Sequence, residues 1–251
     1  MKNKGHLIFT FVTFIIVLAS CSGWGGKQNI QAYYYPLREL KTPQVYEYRA
    51  VGNDSLPPYY WYFQTIKQSG STFLTGNFYD HDFMVRQLTS ERIVKSGALM
   101  EQYLLYETDS TGQAQPMTAD IEAPNVFPFE VTDSNVIYLF KVKWADWKDS
   151  TTTTTLVRNR SFRGFKKYEF KGKEYECAEF AVRDLIDNFE EKKGHIEPQY
   201  EGTELYAKGI GLVRTSKQLT PTLQVTYALY DIYEMNKLEE KFREKFKDKI
   251  F

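Results

Sequence analysis

Hydrophobic and polar residues alternate in short runs through most of the chain, and period-two alternation is the signature of strands whose faces meet different environments. Such runs are "QVYEYRAV" from Gln44, "YYWYFQTI" from Tyr59, "STFLTGNFY" from Ser71 and "ALMEQYLLYET" from Ala98. The second half continues with "SNVIYLFKVKW" from Ser134, "FRGFKKYEFKGKEYECAEFAVRDL" from Phe162, "ELYAKGIGLVRTSK" from Glu204 and "TLQVTYALYDIYEM" from Thr222. Turn compositions such as "GNDSLPP", "KQSG" and "TDSTGQ" separate them, and "KGKE" around Gly172 predicts a hairpin turn between Tyr168, Phe170 and Tyr175, Cys177. In the last run both faces are largely apolar, so that strand is expected to be central. The pattern predicts a mainly β fold: a large curved antiparallel sheet or half-open barrel.

The period changes only at the two ends. In "NKLEEKFREKFKDKIF", Leu238, Phe242, Phe246 and Ile250 recur every four residues with charges between them. That spacing predicts a short amphipathic C-terminal helix over 236–251, placed on the protein's own sheet, a partner or a membrane. At the other end, Lys2 and Lys4 precede an apolar run from Leu7 to Leu18, followed by Ala19 and Ser20. This is the form of a secretory signal, and the run is short of the ~20 residues that a membrane-spanning helix needs. "SGWGGKQNIQA" after it lacks periodicity. The expected organisation is a signal peptide over 1–20, a flexible tether over 21–32, an antiparallel β domain over 33–235, and the helix.

Composition sharpens the class. The 251 residues include 19 Tyr, 18 Phe and 4 Trp, side chains that pack well across strands. Lys and Arg number 32 against 32 Asp and Glu, which argues against a nucleic-acid surface. Cys21 and Cys177 are the only cysteines. With Cys21 at the end of a signal, Cys177 has no intrachain partner, and its strand-like surroundings read as a buried structural thiol.

Candidate chemistry is sparse. "FYDHDFM" offers Asp80, His81 and Asp82, but strand alternation would send His81 away from both aspartates, and a polar strand end or turn is the expectation. His195 lies among Glu190, Glu191 and Glu197 in a segment that Gly194 and Pro198 mark as a loop. No metal or cofactor is expected, and no catalytic residue is assigned; a hydrolase using Asp80, His81 or His195 is the third-ranked function. "GIGLVR" from Gly209 lacks the third glycine of a dinucleotide fingerprint and predicts a bulge or close packing. Among the aromatic clusters "YYYP" and "PPYYWYF", alternation puts Tyr59, Trp61 and Phe63 on one face, the candidate ligand-binding residues.

Leu18-Ala19-Ser20-Cys21 resembles the lipobox of bacterial lipoproteins, which implies cleavage before Cys21 and its acylation. Two or more acyl chains would give stable membrane anchoring. Asp54-Ser55-Leu56, Asp109-Ser110-Thr111 and Asp149-Ser150-Thr151 resemble the O-glycosylation site of Bacteroidota, which would make Ser55, Ser110 and Ser150 acceptors. With the tether, the aromatic sheet and the "YAKGIGLV" strand, the chain is similar to uncharacterised envelope lipoproteins of Bacteroidota. More distantly, its architecture is similar to the curved-sheet LolA and LolB carriers. The first acidic residue after Cys21 is Glu39, which in that resemblance implies an outer-membrane anchor facing the periplasm. The expected function is a non-enzymatic, membrane-anchored binding or assembly module for an apolar ligand, lipoprotein or glycan, with a structural subunit of an envelope complex as the alternative.

Overall fold

The computed structural model describes residues 26–132 and 135–247. Sixteen strands run in chain order: β1 (Gln28–Asn29), β2 (Gln44–Ala50), β3 (Tyr59–Gln68), β4 (Ser71–Tyr79), β5 (Val85–Val94), β6 (Gly97–Thr108), β7 (Ala114–Thr118) and β8 (Asp120–Pro128). They continue as β9 (Glu130–Val131), β10 (Tyr138–Ala145), β11 (Thr153–Phe170), β12 (Lys173–Glu190), β13 (Gly194–Ile196), β14 (Gln199–Ala207), β15 (Gly211–Thr220) and β16 (Leu223–Tyr233). One helix, α1 (Met235–Phe246), follows. The fold is mainly β with a short C-terminal helix, as the alternation predicts, and the curved sheet closes on itself. Twelve strands form an antiparallel ring in the order β2-β3-β4-β5-β6-β8-β10-β11-β12-β14-β15-β16, with β16 pairing back to β2. Full closure removes both sheet edges, which a half-open barrel would leave unpaired.

Apart from the β16–β2 closure, each ring neighbour is also the next ring strand in sequence, so local connections suffice. Lys171 and Gly172 both have positive φ, 52° and 73°, the two-residue turn that suits the right-handed twist between β11 and β12. Ser69 and Gly70, at 49° and 79°, do the same between β3 and β4. β7 and β8 both pair with β6, and β13 and β14 both pair with β12, so each pair acts as one interrupted strand.

The segment before β2 closes one end of the barrel. Gln28 and Asn29 pair with Val131 and Glu130, Ile30 is fully buried, and Gly209 N donates to the Ala32 carbonyl at 2.8 Å. Folded structure therefore begins ahead of the Tyr33 boundary, and residues 28–32, expected within the tether, belong to the fold. Apolar Ile30 and the rings of Tyr33 and Tyr34 have a better home among Phe127, Phe129 and Phe162 than in water. The signal peptide and Cys21 lie outside the described residues.

The helix runs along the outer wall. Its Leu238 is buried against Val45, Tyr60 and Tyr233, Lys241 reaches Glu47, and Phe242 meets Phe83 edge-on at 5.8 Å. Elsewhere the outer wall carries exposed ion pairs, among them Arg92 with Glu101, Lys141 with Glu122 and Arg183 with Glu201. A barrel crossing a bilayer needs an apolar outer band, and an Arg or Lys on it would cost roughly 2–4 kcal/mol at its midplane. This wall is built to face water.

Candidate functional site

The N-terminal segment plugs one end of the barrel but does not fill it. Above this plug lies a cavity of about 470 Å³ that reaches a rim containing Leu219 and Val225. Tyr59, Trp61 and Phe63 point into it from β3, because Tyr48, Tyr46 and Gln44 opposite them on β2 fix the register that turns this face inward. Tyr60 and Tyr62 turn outward, where Tyr60 stacks on Phe83 with centroids 5.3 Å apart. Trp61 lies parallel to Phe63 at 5.4 Å and tilted to Phe78 at 5.3 Å, while Tyr59 packs against Tyr48, Phe78 and Tyr227. Such a cluster of offset and tilted rings presents flat apolar faces to whatever enters.

Tyr35 forms part of the floor, 4.4 Å from Phe63 between ring centroids. Gly211, at φ +100°, makes this possible: a Cβ there would stand 2.5 Å from the Tyr35 ring. The glycines of "GIGLVR" thus serve close packing. Gly76 plays a similar part in the wall, where a Cβ would meet Thr89 Oγ1 at 2.8 Å and the rings of Phe63 and Trp61 at 3.0 Å.

The wall facing these rings is charged. Arg158 forks onto Asp184, with Nε and Nη2 at 2.7 and 2.9 Å from its two oxygens. Arg160 donates to Glu204 through Nε at 2.8 Å, and Tyr206 donates to the same carboxylate at 3.0 Å. Lys217 Nζ lies 3.1 Å from Asp184. Burial works against ionising Asp184 and Glu204, but the neighbouring cations outweigh it and hold both carboxyls below their ordinary values. None of these charged residues stood out in the sequence. The available signal is phase: Arg158 and Arg160 share alternation with Phe162, and Asp184 with Phe180, so all five face inward together.

The histidines lie elsewhere. His81 sits in the turn between β4 and β5, where Asp80 Oδ1 accepts from the backbone N–H groups of Asp82 and Met84, the polar turn expected there. His195, expected in a loop, is in β13, its Nδ1 2.8 Å from Asp187 Oδ1. The three-residue strand forms because Gly194, at φ +78°, reverses the chain so that His195 pairs with Phe189. Asp187, His195 and Glu197 each bring one ligand atom within 4.8 Å of the others on the outside of the barrel. Neither histidine lines the cavity. Ser55, Ser110 and Ser150 are exposed in the loops after β2, β6 and β10, and all three loops stand at the open end. Cys177 is fully buried, as its surroundings imply.

No family model and no curated protein matches the chain. Among solved structures, a candidate lipoprotein from Parabacteroides distasonis aligns over 80% of this chain and 97% of its own, with TM-score 0.47 and 12% identity. A candidate exported protein with a YmcC-like fold from Bacteroides fragilis aligns over 77% and 96%, with TM-score 0.47 and 14% identity. The hypothetical lipoprotein YmcC from Escherichia coli K12 aligns over 78% and 88%, with TM-score 0.32 and 14% identity.

Proposed function

We propose that this protein is a lipid-anchored envelope module, without enzymatic activity, that holds an apolar ligand inside its barrel. The observation that carries the reading is the cavity: one end closed by the chain's own N-terminal segment, the other open, with Tyr59, Trp61 and Phe63 on its wall. Its volume lies in the ~300–1,000 Å³ range of ligand sites. The anchor supports the same arrangement. Gly26 enters at the closed end, and five residues reach at most about 18 Å, so an acylated Cys21 would set the closed end toward the membrane and the mouth away from it. Ser55, Ser110 and Ser150, as glycan acceptors, would ring that mouth. An outer-membrane anchor facing the periplasm completes the reading.

Native mass spectrometry of the protein purified from its own envelope tests it. The expected result is an acylated N-terminal Cys21 and one apolar molecule retained per chain and released on denaturation. A chain that leaves the envelope empty and takes up nothing from a total lipid extract would overturn it.

A further inference from the structure

Three cations meet two carboxylates on the charged wall of the cavity. Arg158 and Lys217 share Asp184, while Arg160 and the Nη1 of Arg158, the latter at 3.5 Å, share Glu204. The next acidic group, Glu91, balances this set poorly. Burial pushes its carboxyl up to about 7, and the Tyr34 hydrogen bond and the charge of Arg160 offset that only in part. A large share of Glu91 is thus uncharged near neutral pH.

Arg160 shows where the imbalance falls. Its side chain is buried on the cavity floor, Nε and Nη2 donate to Glu204, and Nη1 has no hydrogen-bond partner among the described residues. An unsatisfied donor on a buried cation is strongly unfavourable, and a planar guanidinium suits an oxyanion better than any neutral group. Across from it the lining is aromatic. At roughly 30 Å³ for a water-sized group, the cavity takes on the order of fifteen methylene-sized groups, one long acyl chain.

We infer that the cavity takes a single-chain amphiphile with an anionic head, carboxylate or phosphate monoester, the head docking on Arg160 and the chain lying along Tyr59, Trp61, Phe78 and Tyr103. The assignment rests on the apolar-ligand reading above and adds the charge of the head group to it. A neutral glycan could stack on the same rings but would leave the third cation unbalanced.

The test titrates the full chain, held in amphipol, with palmitate, hexadecyl phosphate, hexadecan-1-ol and maltohexaose, following quenching of tryptophan fluorescence. One or both anionic amphiphiles should bind roughly tenfold or more tighter than the alcohol, and which of them leads distinguishes carboxylate from phosphate. In Arg160→Gln that preference, the ratio of acid to alcohol affinity, should fall below about threefold. A native circular dichroism spectrum with retained alcohol binding reports an intact barrel; if this variant does not fold, Arg160→Lys, which keeps the charge but loses the fork, should lower the preference without abolishing it, and an unchanged preference would overturn docking on Arg160. Equal binding of alcohol and acids by the native chain overturns the head-group assignment and leaves the apolar cavity standing. Binding of maltohexaose alone, or of nothing, overturns both.

Discussion

The hydroxyl of Tyr34 donates a 2.5 Å hydrogen bond to the carboxyl of Glu91, joining the N-terminal plug to strand β5 across 57 positions of sequence. The pair is closed to solvent, so the acid keeps its proton far longer in the folded chain than in the unfolded one. Burial is the main cause, and the carboxyl moves from 4.5 to about 7.

The sign of the linkage follows from that shift. Between pH 4.5 and 7 the unfolded chain releases this proton while the folded chain holds it, so Glu91's contribution to stability is full below 4.5 and is lost as pH rises through 7. The loss is at most on the order of 3 kcal/mol. Glu91→Gln keeps an acceptor for Tyr34 and removes the titration. Urea midpoints at pH 5 and pH 7.5 should therefore differ less in the variant than in the native chain. Equal pH dependence in the two would sink the prediction. Asp184 and Glu204 act in the opposite sense: held below their ordinary values by Arg158, Arg160 and Lys217, they stabilise the fold above those values and lose that contribution as pH falls below them, in both proteins alike.

Gly211→Ala tests the plug from the other side. The new methyl carbon would stand 2.5 Å from the Tyr35 ring, on a backbone at φ +100° that side chains rarely adopt. Displacing the ring and straining the backbone together should cost about 2–4 kcal/mol. Gly209, also at positive φ but with nothing within 4 Å, supplies the comparison: Gly209→Ala carries only the backbone part. Thermal unfolding should rank Gly211→Ala clearly below Gly209→Ala, and equal losses would show that Tyr35 yields freely.

Cys177 is a thiol without a route to reagents. It is fully buried, and burial, with the charge of Glu176 adding to it, pushes its pKa up to about 11. Reaction needs the thiolate and access together. With Cys21 acylated or replaced by serine, maleimide should label Cys177 at pH 7.5 only as fast as the barrel opens globally, and urea should accelerate labelling in step with unfolding. Labelling within minutes under native conditions would contradict the burial.

The residues that escaped the sequence pattern are largely those that face the cavity and the plug. β2, β3 and β4 begin where alternation predicts, and the Lys171–Gly172 hairpin falls in its expected place, because their inward positions are apolar: Tyr46, Tyr48, Trp61, Phe63 and Leu74. β5 carries Gln87, Thr89 and Glu91 at the positions that line the cavity, so its apolar alternation disappears although the strand pairs on both sides. The first half of β11 is hidden in the same way by Arg158 and Arg160, and β8 by Pro124 and Pro128, residues that weaken a strand signal. Closure itself has no local mark, since it depends on twelve registers agreeing. The aromatic face of β3 was legible because it obeys period two; the charged wall opposite was not, because buried ion pairs invert the rule that inward means apolar.

The C-terminal helix depends on one buried carboxylate. Glu47 is fully buried on the outer wall of β2 and is reached by the Lys241 ammonium, the Tyr233 hydroxyl at 2.8 Å and Arg49 at 2.7 Å. Burial opposes its ionisation, but Lys241, Tyr233 and Arg49 outweigh it and hold the carboxyl below its ordinary value. Leu238 supplies the apolar half of the contact and is buried to 3% exposure. The helix has no side-chain cap, so packing must hold it. Leu238→Ala, at about 2–4 kcal/mol, should exceed what a single surface helix can spare. Amide exchange across residues 235–246 should then approach that of an unfolded peptide, while β2 and β3, held by their barrel partners, stay protected. Lys241→Met should give the same pattern more weakly, since Tyr233 and Arg49 still face Glu47. Loss of protection in β2 together with the helix would show instead that α1 is part of the barrel's cooperative unit.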